Sequence, residues 1–284
     1  MLKARVITAL VMLAILLPVL FIMTIEALKI LLLLVIGAAS WEWARLLWPQ
    51  KPKLAIQYAA LLVLVLILIW YVDASRMASH VIALLQLVII LLAFLFWVLI
   101  VPRIMKSGLD FPLQKWRRFL GIVGFCIFPA CWFALLILRE MGLIVLLSTL
   151  VWVWSADVGA YFVGKKFGRK KLAPALSPGK TIEGFLGGMA LVLLLACLGA
   201  IYTGFGMNYF SWLREQLGWL GLISIALAGG FFSVMGDLFE SQLKRLAGVK
   251  DSSNLLPGHG GFLDRIDALL PVLPFAALIV LCLH

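Results

Sequence analysis

Runs of Leu, Ile, Val and Phe about 20 residues long, interrupted by short polar stretches, recur along the whole chain. Such runs are long enough to cross a bilayer as helices. The pattern predicts apolar helices over 6–23, 27–41, 54–72, 79–101, 119–138, 142–163, 184–203, 219–239 and 266–283. The second is short, and Pro271 and Pro274 interrupt the ninth. The expected fold is therefore all-α, a polytopic integral membrane protein with about nine transmembrane helices. It divides into 1–102, hydrophobic helix without evident chemistry; 103–183, with a polar loop; and 184–284, with the densest polar stretch.

Composition agrees: 64% of the 284 residues are hydrophobic and only 13% charged, too few to solvate a soluble surface of this size. Lys3 and Arg5 precede the first apolar run and no small-residue cleavage site follows, which reads as an anchor rather than a removed signal peptide. With a cytoplasmic N-terminus, 20 of the 24 Lys and Arg fall in cytoplasmic segments; Lys29, Arg76, Arg139 and Arg214 lie on the other side with His284. The net charge of +11 follows from that bias, and the same face would attract anionic headgroups and a nucleotide. The basic residues sit in short juxtamembrane loops without interleaved aromatics, which argues against nucleic acid. Cys126, Cys131, Cys197 and Cys282 lie in apolar helices without metal-ligand spacing.

Chemistry concentrates between Ser241 and Asp267. Asp237, Glu240, Ser241 and Lys244 recur at i, i+3, i+4 and i+7, one face of a helix. Gly258, Gly260 and Gly261 flank His259 in a loop whose backbone N–H groups could approach a phosphate closely. Asp264 and Asp267 follow at the start of the last helix, where two carboxylates can share a hard cation with phosphate oxygens. An ordinary charged loop with an N-cap Asp is the alternative.

A second polar block starts at Ser155 and Asp157 and ends in Ser177-Pro178-Gly179-Lys180-Thr181-Ile182-Glu183-Gly184. Asp157, costly inside a span, is expected to face a cavity or a cation, unless Lys165 or a backbone donor satisfies it. Gly179-Lys180-Thr181 is not a Walker A loop, because Pro174 stands where that loop needs Gly and no β-strand is expected before it. Ser177 or Thr181 can cap the next helix, with Glu183 in its first turn. Lys180 conflicts with a helix N-terminus unless an anion is present, which makes it a candidate phosphate ligand.

Ser241, Lys244-Arg245, Lys250-Asp251, Pro257, His259-Gly260-Gly261, Asp264-Arg265 and Asp267 together resemble the signature of the CDP-diacylglycerol synthases, or phosphatidate cytidylyltransferases. The second block resembles that family too, with Gly179 where relatives often have Lys. The resemblance implies nucleotidyl transfer: CTP and phosphatidic acid give CDP-diacylglycerol and pyrophosphate. It implies Mg²⁺, with room for a second cation, on Asp237, Asp264 and Asp267, and Asp157 as a further candidate ligand. Lys244, Arg245, Lys250 and Lys180 would screen phosphates. Ser177, Thr181, Ser241, Gly260, Gly261 and Arg265 would line the substrate. His259 would either donate to a phosphate or organise the loop. A homodimer in the bacterial inner membrane, with its active site facing the cytoplasm, is expected on the same ground. A CTP-dependent polyprenol or dolichol kinase and a membrane transporter are the alternatives.

Overall fold

The computed structural model describes residues 2–75 and 79–283, so the expectations for Arg76 and His284 fall outside the described residues. The helices are α1 (Leu2–Phe21), α2 (Ile25–Leu47), α3 (Pro52–Ala74), α4 (Ser79–Leu95), α5 (Val101–Lys106), α6 (Leu113–Met141), α7 (Leu143–Phe167), α8 (Ile182–Ile201), α9 (Tyr209–Leu246), α10 (Leu263–Ile266) and α11 (Leu269–Leu283). A π-helical turn, Phe96–Ile100, joins α4 to α5 and carries the fourth expected helix on to Lys106. Several helices outrun their apolar runs: α2 continues to Leu47, α6 begins at Leu113, and α9 extends the expected 219–239 at both ends. Polar residues at the ends of a span keep helical backbone and let their long side chains reach water.

Among the described residues seven helical stretches are long and apolar enough to cross a membrane; Leu10–Phe21 and Leu269–Leu283 are shorter. α11, about 22 Å long by its rise per residue, is a core element: Leu270, Val272, Leu273, Ala276 and Ala277 are all buried.

Without a strong hydrophobic drive between helices inside lipid, close backbone approach and interhelical hydrogen bonds must hold such a bundle. Both are present. Trp43 Nε1 donates to the Leu120 carbonyl (3.2 Å) and the Tyr58 hydroxyl to that of Gly121 (2.8 Å), joining α2 and α3 to α6. Trp152 Nε1 reaches the Ala226 carbonyl at 3.0 Å and the Tyr209 hydroxyl that of Ala276 at 3.0 Å, joining α7 to α9 and α9 to α11. α7 and α8 pack through glycine: a Cβ on Gly159 would lie 2.7 Å from the Gly187 carbonyl, and one on Gly184 2.8 Å from that of Ala160.

Two departures from regular helix matter for the site. A short antiparallel hairpin, β1 (Lys171–Ala173) and β2 (Ser177–Thr181), pairs Lys171 with Thr181 and Ala173 with Ser177. No strand is expected there from the sequence, because segments of three and five residues containing Pro178 and Gly179 carry no legible alternation. In α9, Gly218 has φ 68° and ψ −173°, a conformation that breaks the helix into two arms.

Candidate active site

The inner end of α9 bears the stripe read from the sequence, and the chain returns to it through the 247–262 loop and α10. Gly236 makes the meeting possible: a Cβ there would collide with the Asp267 carbonyl and lie within 3.0 Å of the Pro271 ring. As a result one carboxylate oxygen each of Asp237, Glu240 and Asp267 lies within 4.8 Å of the others. Glu240 is 3% exposed, and its Oε1 has no hydrogen-bond partner among the described residues. Ser241 Oγ donates to Asp237 Oδ1 at 3.3 Å. Two cations border the triad: Lys180 pairs with Asp237, and Lys244 pairs with Glu240.

Asp264 occupies a different place from the one expected. It lies outside the triad, and its oxygens accept from Lys244 Nζ (2.6 Å), the Ser252 N–H (3.0 Å) and Oγ (2.8 Å), and the Gly261 N–H (2.7 Å). Glu240 completes the carboxylate set instead. The two aspartates differ electrostatically as well. Burial alone would push the Asp264 carboxyl up, but the hydrogen bonds from Lys244 and Gly261 hold it down at about 2. Burial and the neighbouring Asp237 push the Asp267 carboxyl well up, to about 8.

The glycine loop is closed on itself. The His259 N–H donates to the Leu256 carbonyl at 2.8 Å, Leu256 N–H to Gly260 at 2.9 Å, and the Gly261 N–H is held by Asp264. Gly260 takes φ 84°, and its Cβ would sit 2.6 Å from Asp264 Oδ2, so no other residue fits well. Thus the N–H groups of His259 and Gly261 serve loop geometry rather than standing open to phosphate. His259 Nδ1 is buried without a partner among the described residues, while Arg265, exposed, donates to the His259 carbonyl at 2.9 Å.

Arg245 and Lys250 are exposed, and Lys250 lines an open cleft of about 610 Å³ with Trp41 and Arg45. The second polar block forms another cleft, about 440 Å³, lined by Asp157, Tyr161, Lys165, Ser177, Gly179, Lys180 and Thr181. Thr181 Oγ1 caps α8 by accepting from the Gly184 N–H (3.1 Å), as its sequence position suggests. Glu183 turns back and accepts from the N–H groups of Arg169 (2.9 Å) and Lys170 (3.1 Å), fixing the hairpin on α8. Lys180 bridges the two polar blocks by reaching from this cleft to Asp237.

Glu42 is the residue the sequence reading overlooked, since 1–102 was expected to carry no chemistry. It is fully buried on α2, where it accepts from Ser253 Oγ and the N–H groups of Phe262 (3.1 Å) and Leu263 (2.6 Å) and lies 3.2 Å from the Ser252 hydroxyl. An acid between Trp41 and Trp43 inside an apolar span was the available signal, because such a group persists only when buried donors meet it.

The fold and site define a polytopic helical membrane protein with a carboxylate and lysine centre at the end of one span. The chain belongs to the cytidylyltransferase family, whose family model matches residues 3–283. It is 37% identical to a phosphatidate cytidylyltransferase of Pseudomonas aeruginosa, over 98% of this chain and 97% of that protein. It is 36% identical to one from Haemophilus influenzae over 97% of each. To the phosphatidate cytidylyltransferase of Bacillus subtilis it is 45% identical over 49% of this chain and 48% of the relative.

Proposed function

We propose that this chain is a CTP:phosphatidate cytidylyltransferase that makes CDP-diacylglycerol and pyrophosphate. The observation that carries the reading is the convergence of Asp237, Glu240 and Asp267, bordered by Lys180 and Lys244, in a chain matched end to end by the family. Three carboxylates with a buried, unpartnered oxygen suit a hard divalent cation such as Mg²⁺, which supplies charge neutralisation for phosphate oxygens when bound. Asp237, Glu240 and Asp267 would hold it. Lys180 and Lys244, already turned to the triad, would balance the charge of the nucleotide phosphates, and Ser177 and Thr181 would line the way to them.

In the reaction a phosphate oxygen of phosphatidate attacks the α-phosphorus of CTP, a new P–O–P bond forms, and the bond to the β-phosphate breaks in line to release pyrophosphate. The nucleophile is already anionic, so no strong general base is required of the protein. What the residues must do is bring two anions together and hold them aligned. The basic residues of the 103–118, 165–180 and 244–265 segments support a site that faces the cytoplasm from a bacterial inner membrane.

The test is isotopic. Purified protein in detergent is given phosphatidic acid, Mg²⁺ and CTP labelled at either the α or the γ phosphate. Label from the α position entering lipid, with γ label leaving as pyrophosphate, is the expected result. Label from the γ position entering lipid when dolichol is added as acceptor would replace this reading with a kinase; flux across vesicles reconstituted with the protein, without lipid product, would replace it with a transporter.

A further inference from the structure

We propose that Glu42 is a positioning residue for the reaction: through three donors and a hydroxyl it shares with Asp264 it fixes both ends of the 252–263 segment and so sets where Lys244 and Asp264 stand. The proposal rests on the function proposed above only in its kinetic part. Glu42 Oε1 accepts from Ser253 Oγ and the Phe262 N–H; Oε2 accepts from the Leu263 N–H and lies 3.2 Å from Ser252 Oγ, whose one proton it shares with Asp264. One carboxylate thus ties the start of the loop to its end. Ser252 then passes the constraint on, because its Oγ also lies 2.8 Å from Asp264 Oδ2 and its N–H donates to the same oxygen. Asp264 in turn holds Lys244, which pairs with Glu240 of the triad. The sequence leaves no slack at this joint, since a Cβ on Gly261 would strike Ser252 Oγ and Glu42 Oε1.

The geometry is over-determined in a way that an accidental buried acid is not. Four polar groups meet Glu42 from two separate places in this segment, and all of them lie more than 200 residues from it. An amide in place of the carboxylate would set an N–H₂ against a backbone N–H whichever way it turns, so at least one of these hydrogen bonds must go and a serine hydroxyl must reverse. Glu42 itself touches no triad oxygen, so its effect must travel through the loop.

The test pairs Glu42→Gln with amide hydrogen exchange on the detergent-solubilised full chain. Exchange over residues 252–263 is expected to quicken at least tenfold while α7 and α8 are unchanged. Turnover should fall about a hundredfold, and the half-saturating Mg²⁺ concentration should rise. Exchange unchanged in the loop, a uniform rise along the whole chain, or a loosened loop with parental turnover would each overturn the proposal. Should Glu42→Gln fail to fold, Ser253→Ala decides: it removes one donor and leaves the carboxylate in place. A localised but smaller rise over 252–263 supports the proposal, and no rise there refutes it. The exchange readout is independent of the reaction assigned, so a parent inactive towards CTP and phosphatidic acid with a loop that loosens would indict the function and leave the tie standing.

Discussion

Two sets of carboxylates are joined through Lys244, which pairs with both Asp264 and Glu240, and are treated in opposite ways. Glu42 and Asp264 are saturated with donors from backbone amides, serine hydroxyls and Lys244. Asp237, Glu240 and Asp267 face one another with two lysines at the border and a buried Glu240 oxygen that nothing among the described residues meets. A buried acid given all its hydrogen bonds rigidifies its surroundings, whereas three clustered carboxylates with an unmet oxygen on one of them favour added positive charge. The first cluster is built into the fold; the second is the one proposed to bind.

Substitution should separate the two. Asp267→Asn nearly preserves shape while removing a charged ligand, and turnover is expected to fall by about a thousandfold, equivalent to about 4 kcal/mol of barrier; detergent-extracted protein should stay folded. Full activity in that variant, or undiminished turnover of the parent in excess chelator, would end the metal reading. Asp264→Asn should act through the fold, costing about 3 kcal/mol because it breaks a buried, hydrogen-bonded pair and leaves Lys244 with one partner fewer. If thermal unfolding found Asp267→Asn the more destabilised of the two, the division between building and binding would be reversed.

The pH response sharpens the same contrast. Asp267 has its pKa raised in the folded protein, so the fold favours the protonated form and the metal-free protein should lose stability as pH rises from about 4 to about 8. Mg²⁺ should reverse that loss most strongly at the upper end, where proton competition is gone. Thermal-shift curves with and without Mg²⁺ that ran parallel across this range would contradict the assignment of Asp267 to the cation. Smallest of all, Thr181→Val should lower stability by about 1 kcal/mol by removing the α8 cap, seen as an earlier unfolding midpoint.

The sequence made the triad half legible. Asp237 and Glu240 share a helical face by spacing alone, and Asp267 announces itself at a helix start. The clustering of Glu240 rather than Asp264 with Asp237 and Asp267 was out of reach: Asp264 and Asp267 are three apart, but α10 is one short turn, and it aims the two side chains at different neighbours. Glu42 could not be paired from sequence, because its partners lie more than 200 residues away and local periodicity carries no long-range contact. The hairpin was hidden for the opposite reason, since its signals are purely local and too short to stand out. Helix existence followed from apolar length almost everywhere, while helix ends did not, because polar terminal turns continue the backbone hydrogen bonding after the apolar run stops.

The break at Gly218 acts as a depth gauge. Were α9 straight, its 38 residues would measure about 57 Å, nearly twice the hydrocarbon thickness of a bilayer. With the turn at Gly218, measurement restarts at Trp219, a residue suited to the headgroup boundary and stacked under Arg214 at 5.7 Å. From Trp219 to Asp237 is 18 helical steps, about 27 Å, close to one hydrocarbon thickness. The acid that opens the stripe thus stands about one hydrocarbon thickness along the helix from Trp219. A diacyl substrate could offer its headgroup there without lifting its chains out of the bilayer, while a water-soluble nucleotide arrived from the other direction.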